Sequence, residues 1–383
     1  MNNTKKAGLY IHVPFCLKKC NYCDFYSLSA DESLRGRYTN ALISQIKQKA
    51  ALYNDRVIDT VYIGGGTPTF LGIQNLSAIV RELYASFSIT NGAEFTVETN
   101  PGISDEFDFS ALLRAGVNRL SVGLQSANTD ELELLGRIHT PKDYENTITN
   151  ARSAGFKNIS TDIMFSLPYQ DKRRLESTLD FVISHAPEHI SAYSLKIEPG
   201  TPFYKAKDTF MLPDEDMDAD MYLLICDRLK GAGYTHYEIS NFARDGYESR
   251  HNLRYWLCKE YIGFGPSAHS FVDGVRYAYS KSITDFLAVY ESGASDEASI
   301  ICEHRVIDKS ESIMEQLMLS LRLSSGVKNT VLEKFASLDL IYKKIKPLAN
   351  SGLINILSDG FSLTDKGMYV SNAVIGFISE LSD

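Results

Sequence analysis

Three thiols fall within eight residues, in Cys16-Leu17-Lys18-Lys19-Cys20-Asn21-Tyr22-Cys23. Spacing this tight lets one loop present three thiolates to a single metal centre. A structural zinc or iron–sulfur site takes four protein ligands, so three leave one coordination position open to a small molecule. The pattern is compatible with three chemistries. The cysteines are unrelated core residues, or they form a zinc site completed by His12, or they hold a 4Fe–4S cluster with one open iron. Clustering of so rare a residue weighs against the first.

Other residues could serve a ligand at that open position. Gly64-Gly65-Gly66-Thr67-Pro68 removes three successive Cβ atoms, so backbone amides can approach a ligand closely. No Gly-Lys-Ser/Thr follows, so this is not a phosphate loop. Glu98, Gln125, Arg137 and Asp162 stand in or just beyond apolar runs. A charge inside an apolar strand is costly unless it is paired or aimed at a site. Solvated strand ends are the plain reading, and the common placement of the four weakens it. Farther on, His251-Asn252-Leu253-Arg254-Tyr255-Trp256 joins an imidazole to flat rings and uses the only tryptophan. Imidazole ligates iron and aromatic faces can cover a planar macrocycle, although a histidine among aromatics is more often structural.

The elements that must position these residues are legible too. Gly8-Leu9-Tyr10-Ile11-His12-Val13-Pro14-Phe15 reads as a buried strand ended by Pro14, which hangs the cysteines at a strand's C-terminal end. Parallel α/β proteins keep their sites there. Strands are expected at Leu9–Val13, Thr60–Ile63, Glu94–Glu98, Arg119–Gly123, Ile159–Phe165 and His189–Leu195, with helical runs between them stopped by Gly116 and Gly155. Six strand–helix repeats imply an α/β fold built as a partial (β/α)6 barrel, too short to close and open at one side. The barrel is expected over residues 1–205 and an α+β extension over 206–305, with a helix at Asp216–Leu229 that packs Cys226 into the core. Cys258 and Cys302 have no metal-like spacing. Residues 306–383 read as a small winged-helix-like domain: capping signals at Asp308-x-x-Glu311 and Thr330-x-x-Glu333, a third helix ending near Gly352, and a hairpin over Ile354–Leu363 turning at Asp359-Gly360.

Composition bounds the function. The chain has 383 residues, 39 basic against 48 acidic, a net charge of −9 and 44% hydrophobic residues. An acidic balance argues against general nucleic-acid binding, and the C-terminal segment has nearly equal basic and acidic counts despite its winged-helix shape. No window approaches the apolar length of a membrane span, and the polar start has no apolar signal region. Six cysteines in a chain this long are not a disulfide framework, and thiols that hold a cluster need a reducing compartment, so a cytoplasmic location is expected.

The C-x3-C-x2-C spacing, with Tyr22 before the last cysteine, resembles the signature of the radical S-adenosylmethionine (SAM) superfamily. In that superfamily the open iron of a 4Fe–4S cluster is chelated by the amino and carboxylate groups of SAM. Tyr10, Cys16, Cys20, Cys23, Tyr22, Gly65, Gly66, Thr67, Glu98, Gln125, Arg137 and Asp162 are similar to the SAM-site residues of the oxygen-independent coproporphyrinogen III dehydrogenase family. Gly263-Phe264-Gly265-Pro266-Ser267-Ala268 resembles the strand that completes its adenosine pocket. There are two departures: Phe25 stands where that family has a further cysteine, and only fifteen residues precede Cys16. Both departures resemble the HemW subfamily of heme chaperones, as do Tyr237-Glu238-Ile239-Ser240-Asn241-Phe242 and the H-N-x-x-Y-W pattern at His251–Trp256. That resemblance implies heme as a further ligand with His251 on its iron, a heme-requiring acceptor protein, and a reductant for the cluster. It leaves open a membrane-associated acceptor and a homodimer. The alternative is the dehydrogenase itself, decarboxylating coproporphyrinogen III in porphyrin biosynthesis.

If Cys16, Cys20 and Cys23 are the only cysteine ligands, alanine at any one of them abolishes the broad visible absorption of the anaerobically reconstituted protein. Alanine at Cys226, Cys258 or Cys302 leaves it intact; loss of the absorption in any folded variant of this second set contradicts the assignment.

Overall fold

The computed structural model describes residues 5–102, 107–291 and 296–380; residues 1–4 of the polar start lie outside them. Six strands, β1 (Lys5–Val13), β2 (Arg56–Gly65), β3 (Ser88–Thr99), β4 (Arg119–Gln125), β5 (Ile159–Phe165) and β6 (His189–Ser194), lie side by side in sequence order and pair in parallel. This is the expected partial barrel. β2 and β3 start earlier than their apolar runs suggest. Between them the register shifts, so that Ile58 faces Ile89 while Thr60 faces Glu94, and the polar residues in that stretch mask the strand signal.

Alternation along β1 separates two environments. Leu9, Ile11 and Val13 are fully buried in the core that Leu42, Ile46, Leu76, Ile79 and Leu83 of the crossover helices share. The opposite set, Gly8, Tyr10 and His12, faces the barrel interior: the Tyr10 ring lies 6.3 Å from that of Tyr62, and a Cβ on Gly8 would meet Thr60 Oγ1 at 2.7 Å.

Residues after the barrel extend the sheet at both edges. The β7 (Thr235–Glu238) and β8 (Asn241–Ala243) hairpin adds antiparallel to β6. At the other edge, β9 (Tyr261–Phe264) runs parallel to β1. β10 (His269–Val272), β11 (Val275–Tyr279) and β12 (Ile301–Val306) follow antiparallel. The sheet therefore has twelve strands and stays open, in the order β12-β11-β10-β9-β1-β2-β3-β4-β5-β6-β8-β7.

The Arg250–Trp256 helix plugs the lower part of the barrel. Its first two amides, Arg250 N and His251 N, each donate to the Glu94 carboxylate at 2.9 Å, so an acidic group satisfies the positive helix start. Arg254 from the same helix donates through Nε to Thr60 Oγ1 at 3.0 Å and pairs with Asp59. Its Cδ would lie 2.7 Å from a Cβ on residue 8, which explains the glycine there.

The C-terminal segment has helices Lys309–Ser320, Asn329–Phe335 and Leu338–Asn350, then a hairpin of β13 (Ile354–Leu357) and β14 (Gly360–Leu363), then helices Asp365–Tyr369 and Ser371–Ser379. Asp308 caps the first helix, accepting from Glu311 N. Two expectations need correction. Thr330 sits inside its helix, whose cap position is Lys328 with no side-chain bond, and the hairpin turns at Ser358-Asp359 while Gly360 opens β14. Gly360 takes a φ of 125° because a Cβ there would fall 1.9 Å from Val327 O. Among the described residues no helix is long and apolar enough to cross a membrane.

Candidate functional site

The cysteine loop leaves β1 at Pro14 and folds back over the strand ends. Cys16 N donates to Leu28 O at 3.0 Å and Leu28 N to Pro14 O at 2.9 Å, which closes the loop on itself. The glycine turn after β2 then fastens it down: Gly66 N donates to Val13 O at 2.8 Å and Thr67 N to Phe15 O at 2.7 Å. A Cβ on Gly66 would stand 2.5 Å from Phe15 O, and one on Gly65 (φ 111°) would stand 2.6 Å from the His12 ring. The glycines thus admit the cysteine loop's own backbone, a use the sequence reading did not foresee.

The loop roofs a cavity of about 870 Å³. Cys16, Cys20, Cys23, Tyr22, Gly65, Gly66, Thr67, Glu98, Gln125, Arg137 and Asp162 all line it. All six cysteines are free thiols. Burial pushes the Cys16 thiol up and the Cys23 thiol up to about 11, so loading a metal here must release protons. Three thiols at one cavity wall suit a cluster better than a lone zinc. Tetrahedral zinc brings its sulfurs to roughly 3.8 Å from one another. Among the described residues the group of metal-ligating side chains whose atoms all lie within 4.8 Å of each other is elsewhere, at Cys226, His236 and Asp365. His12 is also committed, with Nδ1 3.0 Å from Tyr10 OH and Nε2 3.0 Å from Tyr26 O.

The cavity polar groups are braced from below. Tyr62 OH donates to Glu98 Oε1 at 2.7 Å and Gly65 N to Oε2 at 3.0 Å. Burial, with Asp162 adding repulsion, pushes the Glu98 carboxyl up to about 7. Burial also raises Asp162, which accepts from Ser121 Oγ at 3.2 Å. Gln125 ends β4 at a φ of 71°, a left-handed kink that turns its side chain into the cavity. Arg137 Nη2 donates at 2.6 Å to both Asn100 Oδ1 and Gly123 O, and Nη1 reaches Cys20 Sγ at 3.5 Å. Asn100 in turn donates to Thr67 Oγ1 at 2.8 Å, and Thr67 Oγ1 donates to Cys16 Sγ at 3.5 Å. A chain of contacts therefore joins two of the cysteines through Asn100, a residue with no motif signal of its own.

Two expected residues are not brought to the cavity. Tyr10 lies beneath it, bonded to His12 and stacked near Tyr62. His251, expected to present its imidazole to heme iron, is 1% exposed in the plug. Its Nδ1 is 2.9 Å from Thr60 Oγ1 and its Nε2 2.8 Å from Tyr255 OH, and burial pushes it down to about 3, so it stays neutral. Its neighbours Asn252, Tyr255 and Trp256 do line the cavity. Two other histidines in aromatic stretches, His236 and His269, are not on it, and neither is the Gly263–Ala268 segment, whose strand β9 lies beside β1. Sequence reasoning missed the contribution of the C-terminal segment: Arg322, Met368, Tyr369, Ser371 and Asn372 wall the open side.

The close approach at Gly66 yields a test. Gly66→Ala must push the cysteine loop off the barrel, and we expect a loss of about 1–3 kcal/mol in denaturant unfolding, with poorer cluster loading. Gly36→Ala, in a helix with nothing within 4 Å of the new Cβ, should instead stabilise by about 0.5–1 kcal/mol. Equal effects at the two sites would contradict the packing described.

Comparison with known proteins places this geometry. A model of the radical SAM superfamily matches residues 10–182, and a model of the HemN C-terminal domain matches residues 307–370. A protein named heme chaperone HemW from Bacillus subtilis is 37% identical over 97% of this chain and 99% of its own length. One of the same name from Mycobacterium tuberculosis is 30% identical over 96% and 93%. A mouse protein, radical S-adenosyl methionine domain-containing protein 1, mitochondrial, is 36% identical over 69% and 60%. The solved structure of coproporphyrinogen III oxidase (HemN) from Escherichia coli superposes with a TM-score of 0.82, covering 99% of this chain and 90% of that one at 23% identity, which speaks for the fold. An end-to-end likeness at this level of identity means that the chain belongs to the HemW family of the radical SAM superfamily.

Proposed function

We propose that this protein is a heme chaperone: it holds a 4Fe–4S cluster, SAM and heme, and passes the heme to an acceptor protein. The observation that carries the reading is full-length identity to proteins named heme chaperone HemW, on a chain whose cysteine loop, glycine turn and polar strand ends meet at one cavity. A cavity of about 870 Å³ is near the upper end of small-molecule sites, which run from roughly 300 to 1,000 Å³. Free thiols suit a reducing compartment, and we place the protein in the cytoplasm.

Cys16, Cys20 and Cys23 would hold the cluster, which together with bound SAM would supply one-electron cleavage of a sulfonium bond. Each cavity side chain then has a binding task. Glu98, fixed by Tyr62 and Gly65, receives the N–H of the SAM amino group or a ribose diol. Asp162 and Gln125 offer further polar contacts, and Arg137 adds positive charge beside Cys20. Tyr255 and Trp256 give heme a flat wall. His251 reaches that wall only through Tyr255, so we place it as a positioning residue and not as the axial ligand.

The dehydrogenase reading is favoured by the fold shared with HemN. Against it stands Phe25, exposed at the cavity rim where that family has a further cysteine. Anaerobic protein with SAM and a reductant is expected not to decarboxylate coproporphyrinogen III, and to take up about one hemin per chain with a sharp Soret band. Turnover without saturable hemin binding would establish the dehydrogenase instead.

Two expectations follow from the site. A SAM N–H or O–H donor held at Glu98 prefers the ionised carboxylate, so SAM binding near pH 7 should release protons. Affinity should fall about eightfold from pH 7.5 to 6, a trend that Glu98→Gln removes; calorimetry in buffers of different ionisation enthalpy reads both. His251→Ala should weaken hemin binding by about 2–10-fold, the value of one neutral hydrogen bond, with the Soret maximum unmoved. A shifted maximum would return the axial role to His251.

A further inference from the structure

One corner of the cavity holds polar groups that the binding tasks above leave unused. The Arg250–Trp256 helix plugs the lower part of the barrel, whereas the cysteines hang above the strand ends beyond Val13. At this lower end Trp256 meets Arg322, which enters from the C-terminal segment just past the Lys309–Ser320 helix. The Arg322 backbone is pinned from both sides: Ile239 N donates to Arg322 O at 3.2 Å, Ser324 N donates to Tyr237 O at 3.0 Å, and Leu323 bridges Glu238. Its guanidinium lies 4.3 Å from the centroid of the Trp256 ring, which fixes the plane of the fork.

The hydrogen-bond inventory of this corner is incomplete. Arg322 Nε and Trp256 Nε1 are buried N–H donors with no partner among the described residues, and both residues line the cavity. Glu238, itself 0% exposed, offers its Oε1 to Ser240 N and Asn241 Nδ2, but its Oε2 has no hydrogen bond. Arg322 Nη2 stands 3.9 Å from that oxygen, close enough for charge attraction and too far for a bond. Buried polar groups are normally satisfied, so several unmatched ones converging on a cavity point to a ligand. The other two cavity arginines are differently placed. Arg137 is spent on Asn100, Gly123 and Cys20. Arg119 also has an unmatched Nε, but it is 2% exposed inside the barrel, with Nη1 3.4 Å from Thr96 Oγ1 and no aromatic N–H donor beside it among the described residues.

We propose that Arg322 and Trp256 form a carboxylate-binding subsite that takes a propionate of the porphyrin, an inference that rests on the heme-carrying function above. A planar guanidinium beside an indole N–H matches a carboxylate in charge and in geometry. SAM also carries a carboxylate, so its affinity has to be read beside that of hemin. Since the C-terminal segment supplies Arg322, holding heme would also fasten that segment to the barrel.

The test titrates cluster-loaded protein with hemin and with hemin dimethyl ester, whose propionates carry no charge, and measures SAM affinity in parallel. Arg322→Ala should weaken hemin about tenfold or more and leave the ester and SAM unchanged, with Arg322→Lys between. Trp256→Phe keeps an aromatic face of smaller area and removes the N–H, so it should cost hemin several-fold more than it costs the ester; this variant decides the matter if Arg322→Ala folds poorly. Unchanged hemin affinity in both variants, or an equal loss for the ester, overturns the subsite. A loss confined to SAM assigns the carboxylate to SAM and also overturns it. Wild-type protein that binds no hemin overturns the heme-carrying function, and the subsite falls with it.

Discussion

Everything at the site depends on two backbone hydrogen bonds, from Gly66 N to Val13 O and from Thr67 N to Phe15 O. They fasten a cysteine-bearing loop, which has no regular structure to stiffen it, to the end of the neighbouring strand. They exist because residue 66 has no Cβ, and because the parallel register of β1 and β2 brings Val13 level with Gly65. Thiols held in advance lose less entropy when a metal centre is taken up, which is the general benefit of preorganisation. The constraint runs onward through Thr67 and Asn100 to Arg137, so the loop, the turn and the buried guanidinium form one unit.

Below that unit the barrel interior is polar, and most of its charged groups have a partner or are held neutral. Glu94 is spent on two helix-start amides, and Arg254 on Thr60, Asp59 and the Glu260 carbonyl. Burial keeps His251 and His139 neutral and holds Glu98 near the midpoint of its titration. Among the described residues, several unmatched groups, on Glu238, Asn241, Trp256 and Arg322, meet where the C-terminal segment reaches the cavity.

Much of this was legible in the sequence, for identifiable reasons. β5 falls where its apolar run places it, and the helix stops at Gly116 and Gly155 are left-handed caps. Strong local signals survive folding, and the three cysteines, the glycine turn and the polar strand ends did meet at one cavity. What was hidden depends on contacts distant in sequence. Asn100 has meaning only when Arg137 and Thr67 are near it. Arg322 looks like any surface cation until Trp256 lies under it. The edge strands β7 to β12 are short, and their pairing is set by the sheet they join. The histidine of the H-N-x-x-Y-W pattern misled in placement: chemistry makes it an attractive iron ligand, whereas helix geometry turns it into the plug and leaves Tyr255 and Trp256 to face the cavity.

The central claim is that the cysteine loop is in place before any cluster arrives. Amide hydrogen exchange of the metal-free protein tests it directly, because an amide exchanges only when its hydrogen bond opens. The account predicts that Cys16, Leu28, Gly66 and Thr67 are protected in the metal-free protein to a degree comparable with the ends of β1 and β2. Free exchange at these four amides, with protection appearing only after cluster reconstitution, would contradict it: the metal would then build the site, and the two backbone bonds would follow from loading.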